Sequence, residues 1–394
     1  MNIEYKNQKI KELNIINYGQ KKENTTELEF NTYKEFLNLK SNIVKNLRAK
    51  NLKEYFSPIS APLGEYNCDM EKIENDYTYD RFNNELKINN WEQNTYGDDN
   101  LDSIFITSGM IGICSIIYTL TLEDIEIVFY SKNIYFETIE VYSKINKSTK
   151  TGIKKCKVLY LDSMSNEFNI DKIEKEILLG EYAFIIFDTT CVFGKNLFNI
   201  IRKIKETTIP YILIRSLTKL DQLSTEYSHM GAITFSKNFT YKYLQILKSI
   251  KEYIKFNRGY LSCYEIPTFI NSPDFYNYTN ERNTIIRQNN RYLYQYLKKN
   301  GVYAQIPKHS LFVILYIEAS CELNYLKNKL NEYFRDKDIY YIVKVSTSFC
   351  QDYISIDCYD KGKNIFVLRI SMSDFSKQST IRFSKDLINF LISY

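Results

Sequence analysis

The chain has 394 residues, of which 44% are hydrophobic and 25% charged, a composition typical of a globular protein with two to three domains. It excludes a collagen, a disordered tail protein and a disulfide-rich miniprotein. The net charge of +5, from 52 Lys and Arg against 47 Asp and Glu, is too small to favour nucleic acid or a membrane surface as a partner.

Histidine is scarce, and this narrows the chemistry that the chain can perform. His229 and His309 are the only two, which disfavours a zinc site built from several histidines. The eight cysteines form no CxxC pair and are most simply reduced and buried. The N-terminus has no apolar signal core, and the longest apolar run, near residues 111–122, is too short to cross a bilayer. We expect a cytoplasmic protein whose chemistry, if it is an enzyme, uses Lys, Tyr, Asp, Cys or a cofactor.

The first third of the chain has weak periodicity. The apolar spacing in residues 1–29 is too irregular to predict a helix, whereas residues 30–52 are amphipathic and a loop follows at residues 57–67. From about residue 100, short apolar runs alternate with helical segments. We predict strands at 103–107, 125–130, 157–161, 183–187, 211–214 and 232–235, and helices at 110–120, 135–145, 169–179 and 197–205. This alternation predicts a mostly parallel sheet whose functional sites lie at the carboxyl ends of the strands.

The last third indicates a second, smaller α+β domain. Long helical patterns cover residues 241–256 and 279–299. Beyond them we predict strands at 311–317, 340–345, 353–358 and 366–371, and helices at 322–334 and 379–391. We therefore divide the chain into an N-terminal segment (1–60), a large α/β domain (61–270) and a small C-terminal domain (271–394).

Polar clusters follow three of the predicted strands. Ser108–Gly109 opens a helix and suits a phosphate group, although for this motif alone an ordinary N-cap serine before a tight turn is the simpler explanation. Asp188 ends a buried strand and needs a partner, which a helix cap or a salt bridge would also supply. In Ser216-Leu-Thr-Lys219 a desolvated lysine is able to form a Schiff base, and a surface lysine beside a capping serine is the alternative.

Taken together, the three clusters predict a site for pyridoxal phosphate (PLP). The lysine would hold the aldehyde as an aldimine. The carboxylate of Asp188 would keep the pyridine nitrogen protonated, so that the ring accepts electrons. The hydroxyl groups and the helix N-terminus would bind the phosphate.

These motifs resemble those of the Cys/Met-metabolism family of PLP-dependent enzymes of fold type I, the group of cystathionine γ-synthase, the cystathionine lyases and methionine γ-lyase. The resemblance covers roughly residues 60–394. The family's Ser-Gly-Met, its ring-stacking tyrosine, its Asp-Asn-Thr and its Ser-x-Thr-Lys match, in chain order, Ser108–Met110, Tyr135, Asp188, and Ser216, Thr218 and Lys219. The resemblance thus makes Ser108, Gly109, Met110, Tyr135, Asp188, Ser216 and Thr218 the cofactor-binding residues.

Further motifs of the family imply a substrate site and a shared active site. The late Arg-Leu-Ser motif matches Arg369, which would bind the substrate carboxylate through its two-pronged guanidinium, and the Ser-Leu-Gly-Gly region begins at Ser346. The early Tyr-x-Arg matches Tyr79 and Arg81, which would act on the neighbouring subunit's cofactor. The resemblance therefore implies a homodimer or homotetramer with shared sites.

The resemblance also implies a reaction, although the pocket motifs depart from those of the family. Lys219 would remove the α-proton of an α-amino acid, and Tyr79 would assist as a deprotonated phenol. Elimination, replacement or cyclisation at Cβ or Cγ all fit. The family's Tyr-Gly-Gly-Thr motif is replaced here by Tyr135-Phe-Glu-Thr138, and its glycine-rich motif after the lysine is also replaced. Because these residues line the pocket in the family, we expect a specialised biosynthetic substrate. An aminotransferase, or a non-catalytic binding or regulatory protein on the same fold, remains an alternative.

Overall fold

The computed structural model divides into two compact units. One comprises Met1–Leu47, Lys219–Thr225 and Thr268–Tyr394, and the other comprises Arg48–Thr218 and Glu226–Pro267. We call them the five-stranded unit and the six-stranded unit after their main sheets. The structure describes residues 3–18, 28–55, 66–67, 76–77, 86–88, 90–131, 134–148, 156–165, 170–262, 265–318, 321–335, 342–345, 348–362 and 365–393.

The six-stranded unit alternates strands and helices, as the sequence predicts. Its strands in the main sheet are β3 (Leu101–Ile106), β4 (Ile125–Phe129), β5 (Cys156–Asp162), β6 (Ile185–Asp188), β7 (Tyr211–Ser216) and β8 (Gly231–Ser236). Its helices are α3 (Trp91–Tyr96), α4 (Gly109–Leu122), α5 (Phe136–Ser148), α6 (Ile170–Leu179), α7 (Gly194–Glu206), α8 (Lys237–Lys242) and α9 (Leu244–Phe256). Two short strands, β1 (Tyr66–Asn67) and β2 (Asp76–Tyr77), pair antiparallel.

The strand order of the main sheet is β3-β8-β7-β6-β5-β4. Strands β4 to β7 are parallel, and β8 runs antiparallel to both of its neighbours. The prediction of an α/β fold with a mostly parallel sheet is therefore confirmed. The sequence did not predict that β8 runs antiparallel, because an apolar run indicates a buried strand but not its direction.

Apolar side chains cover both faces of this sheet, as buried parallel strands require. On one face Ile186, Ile212 and Ile233 pack with helices α4 and α9. On the other face Phe187 and Leu213 pack with α6 and α7. The sheet is thus enclosed, which leaves its carboxyl edge as the place where polar groups gather.

The five-stranded unit has the α+β composition that the sequence predicts. Its strands are β9 (Ala304–Gln305), β10 (Val313–Glu318), β11 (Val343–Val345), β12 (Ile354–Asp360) and β13 (Ile365–Ser371), in the order β11-β12-β13-β10-β9. Its helices are α1 (Ile3–Ile16), α2 (Tyr33–Tyr55, of which residues 48–55 are assigned to the six-stranded unit), α10 (Phe275–Lys299), α11 (Leu323–Arg335) and α12 (Lys377–Ser393). The three-segment domain division proposed from the sequence stays a prediction.

Helix α9 confirms most of the helical pattern predicted over 241–256, and the structure adds a break at Tyr243, between α8 and α9. One prediction about helices was wrong. Helix α1 lies where no helix was expected. Its buried face includes Tyr5, Lys9, Glu12 and Leu13 at helical spacing, so charged residues interrupt the apolar stripe that sequence reading relies on. No helix in the described part of the chain is long and apolar enough to span a bilayer.

Candidate active site

The carboxyl ends of three neighbouring strands in the six-stranded unit bring polar residues together. Asp162 ends β5 and pairs in register with Asp188, which ends β6. Ser216 ends the next strand, β7. Because parallel strands end at the same edge, residues far apart in the sequence become neighbours here. Asp188 and Ser216 were predicted at this edge, whereas Asp162 was missed.

The N-terminus of α4 packs against this edge, and two glycines allow it to approach. A Cβ atom on Gly109 would lie 3.1 Å from the Cβ of Ser216, and one on Gly231 would lie 2.5 Å from the backbone nitrogen of Gly109. Ser108 caps the helix by accepting a hydrogen bond of 3.2 Å from the amide of Ile111. The N-terminal amides of a 14-residue helix therefore lie directly beside the end of β7.

Hydroxyl groups lie beside the N-terminal amides of α4, and together we call them the cradle. The Ser216 and Thr218 hydroxyl oxygens are 3.0 Å apart, and the Ser216 amide donates to the hydroxyl of Thr190 over 3.0 Å. The structure thus brings Ser108, Gly109, Ser216 and Thr218 together, as the sequence predicts. The side chain of Met110 packs on the apolar core, so only its backbone is available to the group of donors at the start of α4. Amide and hydroxyl donors at a helix N-terminus suit a phosphate group.

Asp188 is a buried carboxyl group held by its own loop. One of its oxygens accepts a hydrogen bond of 2.9 Å from the amide of Thr190. The buried guanidinium of Arg215 donates to the carbonyl oxygens of Thr189 and Val192, which fixes the turn that carries the carboxyl group. Burial nevertheless raises the pKa of Asp188, since the Thr190 hydrogen bonds and the Arg215 charge offset only part of the lost hydration.

Asp162 is the neighbouring acid that the sequence reading missed. Its carboxylate oxygens accept hydrogen bonds from the amides of Tyr135 (2.6 Å) and Met164 (2.7 Å). Burial, reinforced by the charge of Asp188, raises the pKa of Asp162 to about 7. Asp162 follows the predicted strand 157–161 as directly as Asp188 follows 183–187, so the same signal was present in the sequence.

Tyr135, predicted from the resemblance to stack on a cofactor ring, precedes α5. Its amide hydrogen bond to Asp162 anchors its backbone at the carboxyl edge of the sheet. Its half-buried ring packs edge-on against Phe136, with the ring centroids 5.1 Å apart. Asp162 thereby links this tyrosine to the strand-end acids.

In the five-stranded unit, the two predicted cationic residues contact one aromatic ring. The Lys219 ammonium lies 5.5 Å from the centroid of the Phe349 ring, and the Arg369 guanidinium carbon lies 5.6 Å from it. Lys219 also donates a hydrogen bond of 2.5 Å to the Ser348 hydroxyl. Ser348 and Phe349 belong to the segment matched to the family's late motif, but the sequence reading chose Ser346 instead.

Arg369 has a carboxylate partner that the sequence reading also missed. It pairs in register with Asp357 across β12 and β13, and its guanidinium lies 2.7 Å from the Asp357 carboxylate. The side chains are 17% and 32% exposed, so the pair lies at a partly open sheet face. The short connection between the two strands makes this cross-strand pair accessible to sequence reasoning.

Three predicted site residues, Tyr79, Arg81 and Ser346, lie outside the described residues. No cluster of metal-ligating side chains occurs in the part of the chain that the structure describes. Lys219, the predicted cofactor anchor, follows Thr218 directly in the chain.

Comparison with known proteins gave no relative by sequence. No protein-family model matches the chain, and no curated protein matches it either. Solved structures do match. An 8-amino-7-oxononanoate synthase from Francisella tularensis aligns at 15% identity and a TM-score of 0.55, covering 91% of this chain and 96% of that one.

Two further structures agree. An aminotransferase from Staphylococcus aureus matches at 13% identity and a TM-score of 0.53, over 87% of this chain and 88% of that one. The aromatic-amino-acid aminotransferase from Burkholderia pseudomallei, described as covalently bound to pyridoxal phosphate, matches at 10% identity and a TM-score of 0.50, over 94% and 100%. The chain has the fold of the fold type I PLP-dependent transferases. At these identities the likeness establishes the fold alone.

Proposed function

We propose that the protein is a PLP-dependent enzyme that acts on an α-amino acid, with Lys219 as the residue that anchors the cofactor. One observation carries the proposal. The amide and hydroxyl donors of Ser108, Gly109, Ser216 and Thr218 converge at the carboxyl edge of the sheet, and the lysine is the next residue in the chain. The fold supports the same cofactor.

The residues fit the chemical groups of PLP. A dianionic phosphate suits the helix N-terminus, which Gly109 and Gly231 allow to pack closely against the ends of β7 and β8. A protonated ring nitrogen suits the carboxyl group of Asp188, because burial raises its pKa and a further cationic neighbour would favour its ionised form. Tyr135 is proposed to lie against the ring. When bound, PLP supplies an electron sink for charge that develops at the substrate Cα.

Side chains of the five-stranded unit are proposed to handle the substrate. The amine of Lys219 removes the α-proton, and the Ser348 hydroxyl accepts a hydrogen bond from that amine. Arg369 binds the α-carboxylate, and Asp357 orients its guanidinium from the neighbouring strand. The rings of Phe312 and Phe349 flank Arg369 at 5.5 and 5.6 Å and cover part of the guanidinium.

The resemblance to the Cys/Met-metabolism enzymes supports elimination, replacement or cyclisation at Cβ or Cγ as the reaction. We further propose a homodimer or homotetramer in which Tyr79 and Arg81 serve the neighbouring subunit. An aminotransferase uses the same lysine, aspartate and arginine, so products must separate the two reactions.

The first test is the near-visible absorption spectrum of the protein reconstituted with PLP. Wild type is expected to show a band that is lost or altered in Lys219→Ala, because the Schiff base requires that amine. Lys298→Ala, at an exposed position near the end of α10, is the matched control and should keep the band. No band in reconstituted wild type would overturn the proposal in favour of a binding protein.

A panel of amino acids then distinguishes the reactions. Formation of a 2-oxo acid with release of ammonia indicates elimination, and a new substituted amino acid indicates replacement. A pyridoxamine form that accumulates after one turnover indicates an aminotransferase instead. Arg369→Lys is expected to raise KM for every substrate, because a lysine lacks the two-pronged contact with a carboxylate.

A further inference from the structure

The five-stranded unit contains a closed ring of buried, alternating charges. Around the ring, each side chain contacts the next within 3.7 Å, and every member is 7% exposed or less. Its members, in order, are Glu12, Lys9, Asp374, Arg282, Asp352 and Lys40. Helices α1, α2 and α10 supply four of them, and the segments that precede β12 and follow β13 supply the two aspartates.

A ring of this kind is poor evidence for stability by itself. Removing six charges from water is costly, and the attraction between them roughly repays that cost. Its contacts beyond the ring are more informative. Lys40 also donates a hydrogen bond to the carbonyl oxygen of Leu223, and Arg282 donates one of 2.6 Å to the hydroxyl of Ser224.

Both of these contacted residues have strained backbones. Leu223 and Ser224 have φ values of 51° and 57°, in the left-handed region that non-glycine residues rarely adopt. Cys350 has a φ of 63°, and its carbonyl oxygen accepts a hydrogen bond of 2.8 Å from Ser224. Such conformations persist only where the surroundings enforce them, and they concentrate at functional sites.

The strained residues belong to the two segments that carry Lys219 and its hydrogen-bond partner Ser348. Leu223 and Ser224 lie four and five residues after Lys219, and Cys350 lies two residues after Ser348, the hydrogen-bond partner of the Lys219 amine. Asn283, next to the ring arginine, donates a hydrogen bond of 3.3 Å to the carbonyl of Leu220. Members of the charge ring therefore contact both the segment after Lys219 and the segment after Ser348.

We propose that Lys40 and Arg282 are positioning residues that hold residues 219–225 and 348–352 in these strained conformations and so keep Lys219 against Ser348. The link to catalysis rests on the proposed function of Lys219. The positioning itself does not, and it is measurable without the cofactor.

The test compares two cations of the same ring. Lys40→Met and Lys9→Met each remove one buried ammonium group, but the hydrogen bonds described for Lys9 reach only Glu12 and Asp374. Hydrogen–deuterium exchange of the cofactor-free protein is measured for peptides covering 219–225 and, as an internal reference, β13. Relative to β13, we expect Lys40→Met to speed exchange of 219–225 about tenfold or more, and Lys9→Met to leave this ratio within about twofold.

Equal ratios in the two variants would overturn the proposal, because they would make the ring a structural cross-link only. If Lys40→Met does not fold, Ser224→Ala decides. This variant leaves the ring intact, removes the link to Cys350, and is expected to speed exchange of the same segment.

A second readout addresses the link to catalysis. In reconstituted protein, the circular dichroism of the bound cofactor should change in Lys40→Met and Ser224→Ala but not in Lys9→Met. If exchange of 219–225 is faster in Lys40→Met but not in Lys9→Met, and wild type shows no cofactor band, the positioning role of Lys40 stands and the proposed function is rejected. A band with identical dichroism in all variants would reject the link to Lys219.

Discussion

The strand-end acids of the six-stranded unit and Glu12 of the five-stranded unit are all buried, but their pKa values shift in opposite directions. Asp162 and Asp188, at the strand ends of the six-stranded unit, have raised pKa values. Glu12, equally buried in the five-stranded unit, has a pKa well below its ordinary value. Burial by itself would raise all three. The ammonium groups of Lys40 and Lys9 reverse the effect for Glu12, whereas Asp162 faces another carboxyl group.

The comparison separates a neutralised structural cluster from an unsatisfied one. The charge ring pairs three acids with three cations of the same unit, although burial and the charge of Glu12 still raise the pKa of Asp352. The strand-end pair has excess negative charge, and a cationic group beside Asp188 would relieve it. A protonated pyridine nitrogen is such a group, which agrees with the proposed cofactor.

The largest expected effect is the removal of the ring arginine. Arg282→Met leaves Asp352 and Asp374 buried with one cation fewer and should lower the free energy of unfolding by about 3–5 kcal/mol. Chemical denaturation at neutral pH measures it. Arg202→Met, in an exposed pair with Glu206, is the control and should cost under about 0.5 kcal/mol. Equal losses would mean that the ring is no better desolvated than the surface.

The strand-end pair is tested through pH. Because the folded-state pKa of Asp162 is near 7 and its unfolded value near 3.8, the cofactor-free folded protein binds more protons between these values. The contribution of Asp162 to stability should therefore fall by about 3 kcal/mol as pH rises from about 4 to 7, at about 1.4 kcal/mol per unit of pKa. Asp162→Asn should remove most of this fall, whereas the exposed Asp102→Asn should not. Parallel pH profiles for wild type and Asp162→Asn would contradict the raised pKa.

Glu12 should show the opposite pH dependence. Its lowered pKa contributes stability above the unfolded-state value near 4.5, and this contribution is lost as pH falls through the folded-state pKa. Glu12→Gln should cost about 2 kcal/mol at pH 7, and the difference from wild type should shrink in acid. Thermal unfolding at several pH values measures this. The exposed Glu281→Gln serves as control. A constant difference across pH would show that charge is not the cause.

The half-exposed pair of Asp357 and Arg369 should give the smallest effect. Water reaches both side chains, so Asp357→Asn should lower stability by under about 1 kcal/mol. If Asp357 orients the guanidinium for a substrate, the same variant should raise KM more than it lowers kcat. Glu140→Gln, in the exposed pair with Lys144, should change neither stability nor KM. A kcat loss without a KM change would remove Asp357 from substrate binding.

Sequence patterns predicted the main sheet of the six-stranded unit well because its strands are buried on both faces. Runs such as residues 183–187 and 211–214 are continuously apolar, and hydrophobic burial leaves a direct record in such runs. Helix α1 left no such record, since Lys9 and Glu12 occupy the buried face and find their partners in Asp374 and Lys40, far away in the chain.

The candidate site likewise contains residues that the sequence identified and residues that it did not. Motifs at single strand ends identified Asp188, Ser216 and Lys219, because a short polar sequence after an apolar run is a local signal. Asp162 was missed although it pairs in register with Asp188, and Ser348 was missed although it accepts a hydrogen bond from Lys219. Their part in the site depends on which strands and loops become neighbours, and no local pattern states that.

The sequence by itself determined the alternation of strands and helices, the residues at the strand ends and the chemistry that those residue types allow. All of these follow from local spacing and side-chain type. The tertiary structure alone decided which charges are neutralised. Protonation of a buried acid depends on distance to other charges in a medium that screens poorly, and those distances are set by contacts between remote parts of the chain. Glu12 and Asp162 are both buried acids, but the ammonium groups beside Glu12 lower its pKa, whereas burial and the charge of Asp188 raise that of Asp162.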